Sequence, residues 1–474
     1  MLDMPLPKAD ILSRAVQIAS DLRGLVADPE AVITEEDRKR PYETDALTAY
    51  KQMPLMVVLP STTAEVSAIM TYCHTHGIRV VARGAGTSLA GGALPLEDAI
   101  VLGISRLNRV LEISPEDRLV RVEAGITNIA VTRAVQPFGF FYAPDPSSQL
   151  ACTIAGNVAM NSGGAHCLKY GVTTNNLLGA KMVLADGQVV EIGHDHMEPD
   201  GYDWMGLICG SEGQLGIVTE MTLRILPTPQ GARPLLLGFA SNEQAGACVD
   251  AIIGSGIIPV ALEFMDRPAV HAAEDFAKAG YPLDVEALLI VEVEGSEAEI
   301  DSLLDRIKGI AEGFDPQHVS VATDKVDAEN IWKGRKSAFG AVGRISPDYM
   351  CMDGTIPTSK LPEVLKRMQA MAQEEGFQVA NIFHAGDGNL HPLILFDANL
   401  DGELERVEAF GGEILKLCVD VGGCLTGEHG VGVEKRELMS YQYDQASLDQ
   451  QKAIKTAFDP DWLLNPHKVF PFKA

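Results

Sequence analysis

The chain has 474 residues, more than a single hydrophobic core usually organises, so two or three domains are expected. Its composition is that of an ordinary globular protein, 46% hydrophobic and 22% charged, but 38 Lys and Arg stand against 65 Asp and Glu, a formal net charge of −27. Such a field repels a phosphate backbone and excludes nucleic acid as a partner, and a small anionic substrate needs a local cluster of Arg and Lys to overcome it.

Met1 to Asp10 carry prolines and acids where a leader would have a basic stretch and an apolar run. No apolar run approaches about 18 residues, so neither secretion nor a membrane span is expected, and the cytoplasm is the expected compartment. The eight cysteines (Cys73, Cys152, Cys167, Cys209, Cys248, Cys351, Cys418 and Cys424) form no CxxC pair and read as buried thiols in a reducing setting, unsuited to an iron–sulfur cluster.

The first strong periodicity, Val66, Ile69, Met70 and Cys73, predicts a helix over Thr63 to His76 that ends at Gly77. His74 and His76 fall in its last turn, where the helix dipole favours them without any ligand. A strand over Ile78 to Val81 leads into Arg83-Gly-Ala-Gly-Thr-Ser-Leu-Ala-Gly-Gly92, a loop whose glycines let backbone N–H groups converge on an anion. It is not a Rossmann fingerprint, because the third glycine position is Leu89, and no Walker lysine follows. Two further clusters, Pro144 to Ser148 with Thr153 to Gly164 and then Gly210 to Ile217, lie within roughly 130 residues of it. Three such loops fit an extended dinucleotide. The candidate cofactor residues are Arg83, Gly84, Ala85, Gly86, Thr87, Ser88, Gly91 and Gly92 in the first cluster; Pro144, Ser147, Ser148, Thr153, Gly156, Asn157, Gly163 and Gly164 in the second; and Glu212, Gly216 and Ile217 in the third. His194 and His196 sit in a polar loop and carry no role.

Thr228-Pro229-Gln230-Gly231 marks a domain boundary. Beyond it the pattern predicts strands over 235–240, 259–265, 287–294 and 319–323, with helices over 242–255 and 296–311, the second opened by the capping box Ser296-x-x-Glu299. Two βαβ units in succession suggest a ferredoxin-like layer. A helix over Pro362 to Glu375, stopped by Gly376, precedes His384-Ala-Gly-Asp-Gly-Asn-Leu-His391 and Gly427-Glu-His-Gly-Val-Gly432. Two imidazoles and a carboxylate can hold a divalent cation with open positions, and this donor set suits zinc, manganese or iron. Neighbouring residues of an extended segment point opposite ways, so Glu428 and His429 are expected to do different work. The local positive charge is Trp332-Lys-Gly-Arg-Lys336, with Arg344 beyond; taken alone it reads as a solvated basic loop, but an arginine fork there suits a carboxylate.

The strings RGAGTSLAGG, PDPSSQLACTIAGNVAMNSGG, YGVTTNN and GSEGQLGIVTE resemble the FAD domain of the vanillyl-alcohol oxidase superfamily. That resemblance implies an α+β architecture, a PCMH-type FAD-binding domain plus a ferredoxin-like substrate (cap) domain, with the first loop on the pyrophosphate and the later clusters along the isoalloxazine. Members that attach flavin covalently often carry a histidine in the first loop; this one has none, so dissociable FAD is expected. WKGRKSAFGAVGRISPDYMCMDGTIP, HAGDGNLHP and GEHGVG in turn resemble the FAD-linked 2-hydroxy-acid dehydrogenases. That family includes D-lactate and D-2-hydroxyglutarate dehydrogenases and the catalytic subunit of bacterial glycolate oxidase, to which RISPDYMCMDGTIP is most similar. The likeness runs from about Pro41 onward.

It implies Arg335 on the substrate carboxylate, His384, His391 and Glu428 on a divalent metal, His429 as base and Asn389 near substrate and flavin. The implied domains are 1–228 for FAD, 229–425 for substrate, and 426–474 returning toward the FAD domain. The implied reaction is oxidation of a small 2-hydroxy acid such as glycolate or D-lactate, with hydride passing to flavin N5. Electrons would leave to a quinone or cytochrome and not to O2, through the iron–sulfur and second flavin subunits of a complex that brings the chain to the inner membrane; a homodimer is also compatible. Gly334 and Lys336, flanking Arg335, do not specify the substrate. The alternatives are a D-2-hydroxyglutarate dehydrogenase, a metal-dependent hydrolase with a nucleotide in its glycine loops, and a non-catalytic partner subunit that keeps the flavin fold.

Overall fold

The computed structural model describes residues 4–196 and 201–472; residues 1–3, at the head of the stretch inspected for a leader, lie outside it, as do 197–200 and 473–474. The chain forms two compact units, one of residues up to 163, 171–228 and 428 onward, the other of 164–170 and 229–427.

In the first unit a four-stranded sheet runs Val32–Ile33, Met56–Val58, Ala99–Gly103, Arg79–Arg83, the last three mutually parallel. Helix Thr63–His76 feeds it. Thr62 caps the helix by accepting from the Glu65 N–H at 3.1 Å, Gly77 ends it at φ +64°, and Val66, Ile69, Met70 and Cys73 form its buried stripe. A second, antiparallel sheet runs Val110–Ser114, Leu119–Glu123, Ile217–Arg224, Leu177–Val183, Val189–Gly193. Along Ile217–Arg224 buried and half-buried residues alternate strictly, the mark of a strand with one face on a core. The C-terminal tail returns to the first sheet, where Leu464 bridges Val80 in parallel.

The second unit is built on a seven-stranded antiparallel sheet in the spatial order His318–Val321, Gly231–Phe239, Ala287–Gly295, Ala261–Asp266, Gln378–His384, Pro392–Phe396, Asp348–Cys351. The first four of these are the fourth, first, third and second in the chain, the ferredoxin-like order. Helix Arg267–Ala277 is inserted between the second and third, and helix Glu297–Ala311 opens on the Ser296/Glu299 capping box. Strands 348–351, 378–384 and 392–396 extend the sheet past the ferredoxin-like part and were not anticipated. Nor was helix Lys325–Val342, capped by Asp324, which carries Trp332 to Lys336; the basic window is therefore not a loop. None of the eight cysteines is in a disulfide, and all but Cys424 are buried. Among the described residues no helix is long and apolar enough to cross a membrane.

Candidate active site

The first unit draws the three glycine clusters together. Arg83, at the end of its strand, is spent on structure: its guanidinium donates to the carbonyls of Thr44 (2.7 Å) and Pro41 (3.2 Å), and Gly86, at φ +73°, leaves no room for a Cβ beside it. Gly84 abuts Thr153, whose hydroxyl accepts from the Gly156 N–H at 3.3 Å, so the first cluster packs on the second. Within the second, Asn128 Nδ2 donates both to the Asn157 side-chain oxygen (3.1 Å) and to the carbonyl of buried Pro144 (3.0 Å). Ser148 is half-buried and supplies a carbonyl to the Cys152 N–H, while Ser147 and Ala85 are exposed and Thr87 half-buried. Gly91 faces Val433, and Gly92 faces Met160.

Two carboxylates fasten the Gly427–Gly432 motif to this cradle. Glu212, itself at φ +51°, accepts from the Val431 (2.6 Å) and Gly432 (2.8 Å) N–H groups; burial raises its pKa above the ordinary carboxylate value even though those amides oppose the shift. Glu428 accepts from the Gly163 N–H at 2.9 Å, and the His429 carbonyl accepts from the Ser88 hydroxyl at 3.4 Å. Gly216 packs so closely on Met182 that a Cβ would overlap it, and Ile217 opens the strand that follows. Glycine at these positions lets the three clusters pack directly on one another, the convergence of backbone that a dinucleotide cradle needs. Gly164 falls in the other unit.

The second unit holds a buried charged centre. Helical spacing turns Ile331, Arg335, Ala338 and Val342 inward and leaves Lys333 and Lys336 exposed. Gly334 is required at its place, because a Cβ there would lie 2.5 Å from Tyr281 Oη and 2.6 Å from Ala279 Cβ. Arg335 Nη2 pairs with Glu263 Oε2 at 2.5 Å, while its Nε has no hydrogen-bond partner among the described residues. Glu263, fully buried, also lies 2.8 Å from His384 Nδ1 through its other oxygen. Burial by itself would raise the Glu263 pKa, but His384 and Arg335 outweigh it and hold the carboxylate below its ordinary value. An ionised Glu263 is an acceptor for the Nδ1 proton and so orients the His384 ring.

His391 is held in a similar way, with Nε2 3.3 Å from Asp353 Oδ1. Asp353 is fully buried and also accepts from the Thr426 hydroxyl (2.5 Å) and the Gly427 N–H (3.0 Å). The two imidazole centroids are 5.3 Å apart with planes at 80°. Asn389 sits on the same loop, its Oδ1 buried and without a partner among the described residues. Two imidazoles, each oriented by a buried carboxylate, are a fitting half of a divalent-cation site.

Arg344 does not join this centre; it is exposed, stacks at 5.3 Å over Phe276 and lines a separate cavity of about 670 Å³. Glu263 and Asp353 went unassigned in the sequence. Glu263 had a readable signal, a carboxylate inside the otherwise apolar strand Ala-Leu-Glu-Phe-Met, which must find a partner when buried.

Residues 54–193 match the FAD binding domain family and residues 228–469 the family described as FAD linked oxidases, C-terminal domain. Over 470 residues, 99% of this chain and 93% of the relative, the sequence is 48% identical to the glycolate oxidase subunit GlcD of Escherichia coli (strain K12). The Bacillus subtilis (strain 168) protein of that name is 37% identical over 446 residues, 94% of this chain and 95% of the other. A D-lactate dehydrogenase of Archaeoglobus fulgidus is 33% identical over 445 residues, 92% and 96%. The structure of p-cresol methylhydroxylase with substrate bound shares the fold at a TM-score of 0.83 and 17% identity, over 99% of this chain and 98% of that one.

Proposed function

The chain belongs to the FAD-linked oxidases, and on that premise we propose that it oxidises a small 2-hydroxy acid, of the glycolate or D-lactate type, to the 2-oxo acid. The observation that carries this reading is Arg335, a buried guanidinium with one edge on Glu263 and its Nε left over. A substrate carboxylate supplies the missing acceptor in bidentate fashion. Family membership leaves no place for the hydrolase alternative. The E. coli relative is a glycolate oxidase subunit, which supports assembly of this chain with partner subunits that relay electrons to an acceptor other than O2 and bring it to the membrane.

His384 and His391 would hold a divalent cation, zinc, manganese or iron, with Glu428 as third ligand, and the glycine cradle would hold FAD without a covalent bond. Held there, the cation would supply acidification of the substrate hydroxyl and the FAD a hydride acceptor. Arg335 fixes the carboxylate and thereby the face of C2 that is presented. His429 takes the hydroxyl proton on its imidazole, and Asn389 offers its open Oδ1 beside the reacting group. Glu263 and Asp353, behind the two imidazoles, would orient them toward the metal.

The test is anaerobic dye reduction with glycolate, D-lactate and D-2-hydroxyglutarate, against acetate and propionate as acids without the hydroxyl. Turnover with at least one 2-hydroxy acid and none with the others supports the reading; no turnover with any of them in flavin-replete protein ends it. Acid precipitation should leave the yellow colour in solution, whereas a yellow pellet would mean covalent flavin.

A further inference from the structure

Three lysines of the C-terminal stretch are almost wholly buried: Lys435, Lys455 and Lys468, the last 2% exposed. Lys455 Nζ donates to the Gln214 carbonyl (2.7 Å), Asp459 (2.5 Å) and the Leu464 carbonyl (2.9 Å), and Lys435 Nζ to the Gly430 carbonyl (3.1 Å) and Glu434 (2.7 Å). Lys468 Nζ has no hydrogen-bond partner among the described residues. A buried ammonium without an acceptor is costly, and a fold keeps one only where something else compensates it.

The backbone around it is strained to place it. His467 stands at φ +62° and Val469 at +69°, left-handed values that are a true outlier for a β-branched residue. Three attachments hold them there: the His467 carbonyl accepts from Arg436 (2.6 Å), the Val469 N–H donates to the Gly432 carbonyl (2.8 Å), and the Asn465 side chain joins the Ala82 N–H (2.9 Å) to the Glu212 carbonyl (2.8 Å). The ammonium lies within electrostatic reach of Asp45 and Glu212, and both carboxylates are already engaged by backbone amides. Asp45 holds the Leu47 and Ala93 N–H groups, the second just beyond the first glycine loop; Glu212 holds those of Val431 and Gly432. Burial first, and Arg436 in the same direction, push the Lys468 pKa down to about 7 in spite of these two acids, so the surroundings do not supply the negative charge this cation calls for.

We propose that Lys468 is a cofactor ligand, its ammonium donating to an electron-rich oxygen of bound FAD, either of the diphosphate or of the isoalloxazine carbonyl edge. This role for Lys468 rests on FAD binding in the first unit and is independent of the substrate and metal proposed above.

The experiment compares the full chain with Lys468→Met and Lys468→Arg, each stripped of FAD. Flavin-fluorescence quenching gives the FAD affinity, thermal melting the stability of the apoprotein, and redox titration of the reloaded protein the flavin midpoint potential. Lys468→Met should weaken FAD binding about 10- to 100-fold, the range of a hydrogen bond to a charged group, while the apoprotein melts no lower than the parent, since an unpartnered charge has been removed. Lys468→Arg should recover part of the affinity. A lower midpoint potential in Lys468→Met places the contact at the isoalloxazine, and an unchanged one at the diphosphate. Parental affinity in Lys468→Met overturns the proposal. So does collapse of the apoprotein in both Lys468→Met and Lys468→Gln with Lys468→Arg sound, because the ammonium would then serve only as counter-ion to Asp45 and Glu212.

Discussion

The two units solve opposite problems with opposite materials. The glycine cradle is made of main chain: Gly84, Gly86, Gly91 and Gly432 each sit where a Cβ would overlap a neighbour, and the fixing groups, Glu212 and Asp45, grip amides. The charged centre of the second unit is made of side chains, Glu263 and His384 from two paired strands, Arg335 from a helix, and Asp353 and His391 from loops beside strands, each ion or imidazole set against a partner. A long cofactor needs a smooth, donor-rich surface, which glycine supplies cheaply in sequence; a small anion needs a few charges held to within fractions of an ångström, which takes packed side chains with partners behind them.

That contrast can be broken or sharpened by substitution. The largest effect is expected at His429, where loss of the proposed base in His429→Asn should lower kcat by about 10² to 10⁴, with KM changed far less and the acidic limb of the kcat/KM profile gone. Parental kcat in this variant, measured by steady-state dye reduction, would remove His429 from the proton step. Arg335→Lys should act on the ground state and raise KM roughly 10- to 100-fold, because an ammonium cannot hold Glu263 and a carboxylate in one plane. Glu263→Gln should move two quantities together, weakening metal affinity by about 10- to 100-fold through His384 and raising KM through Arg335. Metal titration beside steady-state kinetics checks it, and a change in one without the other would separate the two halves of the centre. The smallest effect belongs to the cradle: Gly432→Ala, which puts a methyl at φ +51° against the Ala90 carbonyl, should lower stability by about 1–3 kcal/mol and loosen FAD, with substrate KM unmoved in reloaded protein.

The same contrast explains what could be read from the chain. Main-chain devices leave local signatures: helix 63–76 with its Gly77 stop, the Ser296/Glu299 box and the glycine strings are each contained in a few consecutive residues. Side-chain devices do not. Arg335 was legible as a charge, but its burial follows from the 3.6-residue spacing of Ile331, Arg335, Ala338 and Val342, which the run of basic neighbours obscures. Glu263 and His384 lie 121 positions apart and meet because their strands pair, Glu263 opposite His384 in register. Asp353 stands within MCMDGTIP, where nothing nearby marks it as the partner of His391. Lys468 lies in a tail whose left-handed residues, His467 and Val469, no propensity would predict.

The most direct measurement is anaerobic stopped-flow reduction of the flavin by a 2-hydroxy acid, followed near 450 nm (roughly the usual oxidised-flavin band), in protein stripped of divalent metal and then refilled with Zn²⁺ or Mn²⁺. The stripped protein should keep its FAD and its melting temperature but reduce the flavin at least about 10²-fold more slowly, and refilling should restore the rate. Full-speed bleaching in verified metal-free protein would contradict it, because His384 and His391 would then be histidines held for some purpose other than this reaction.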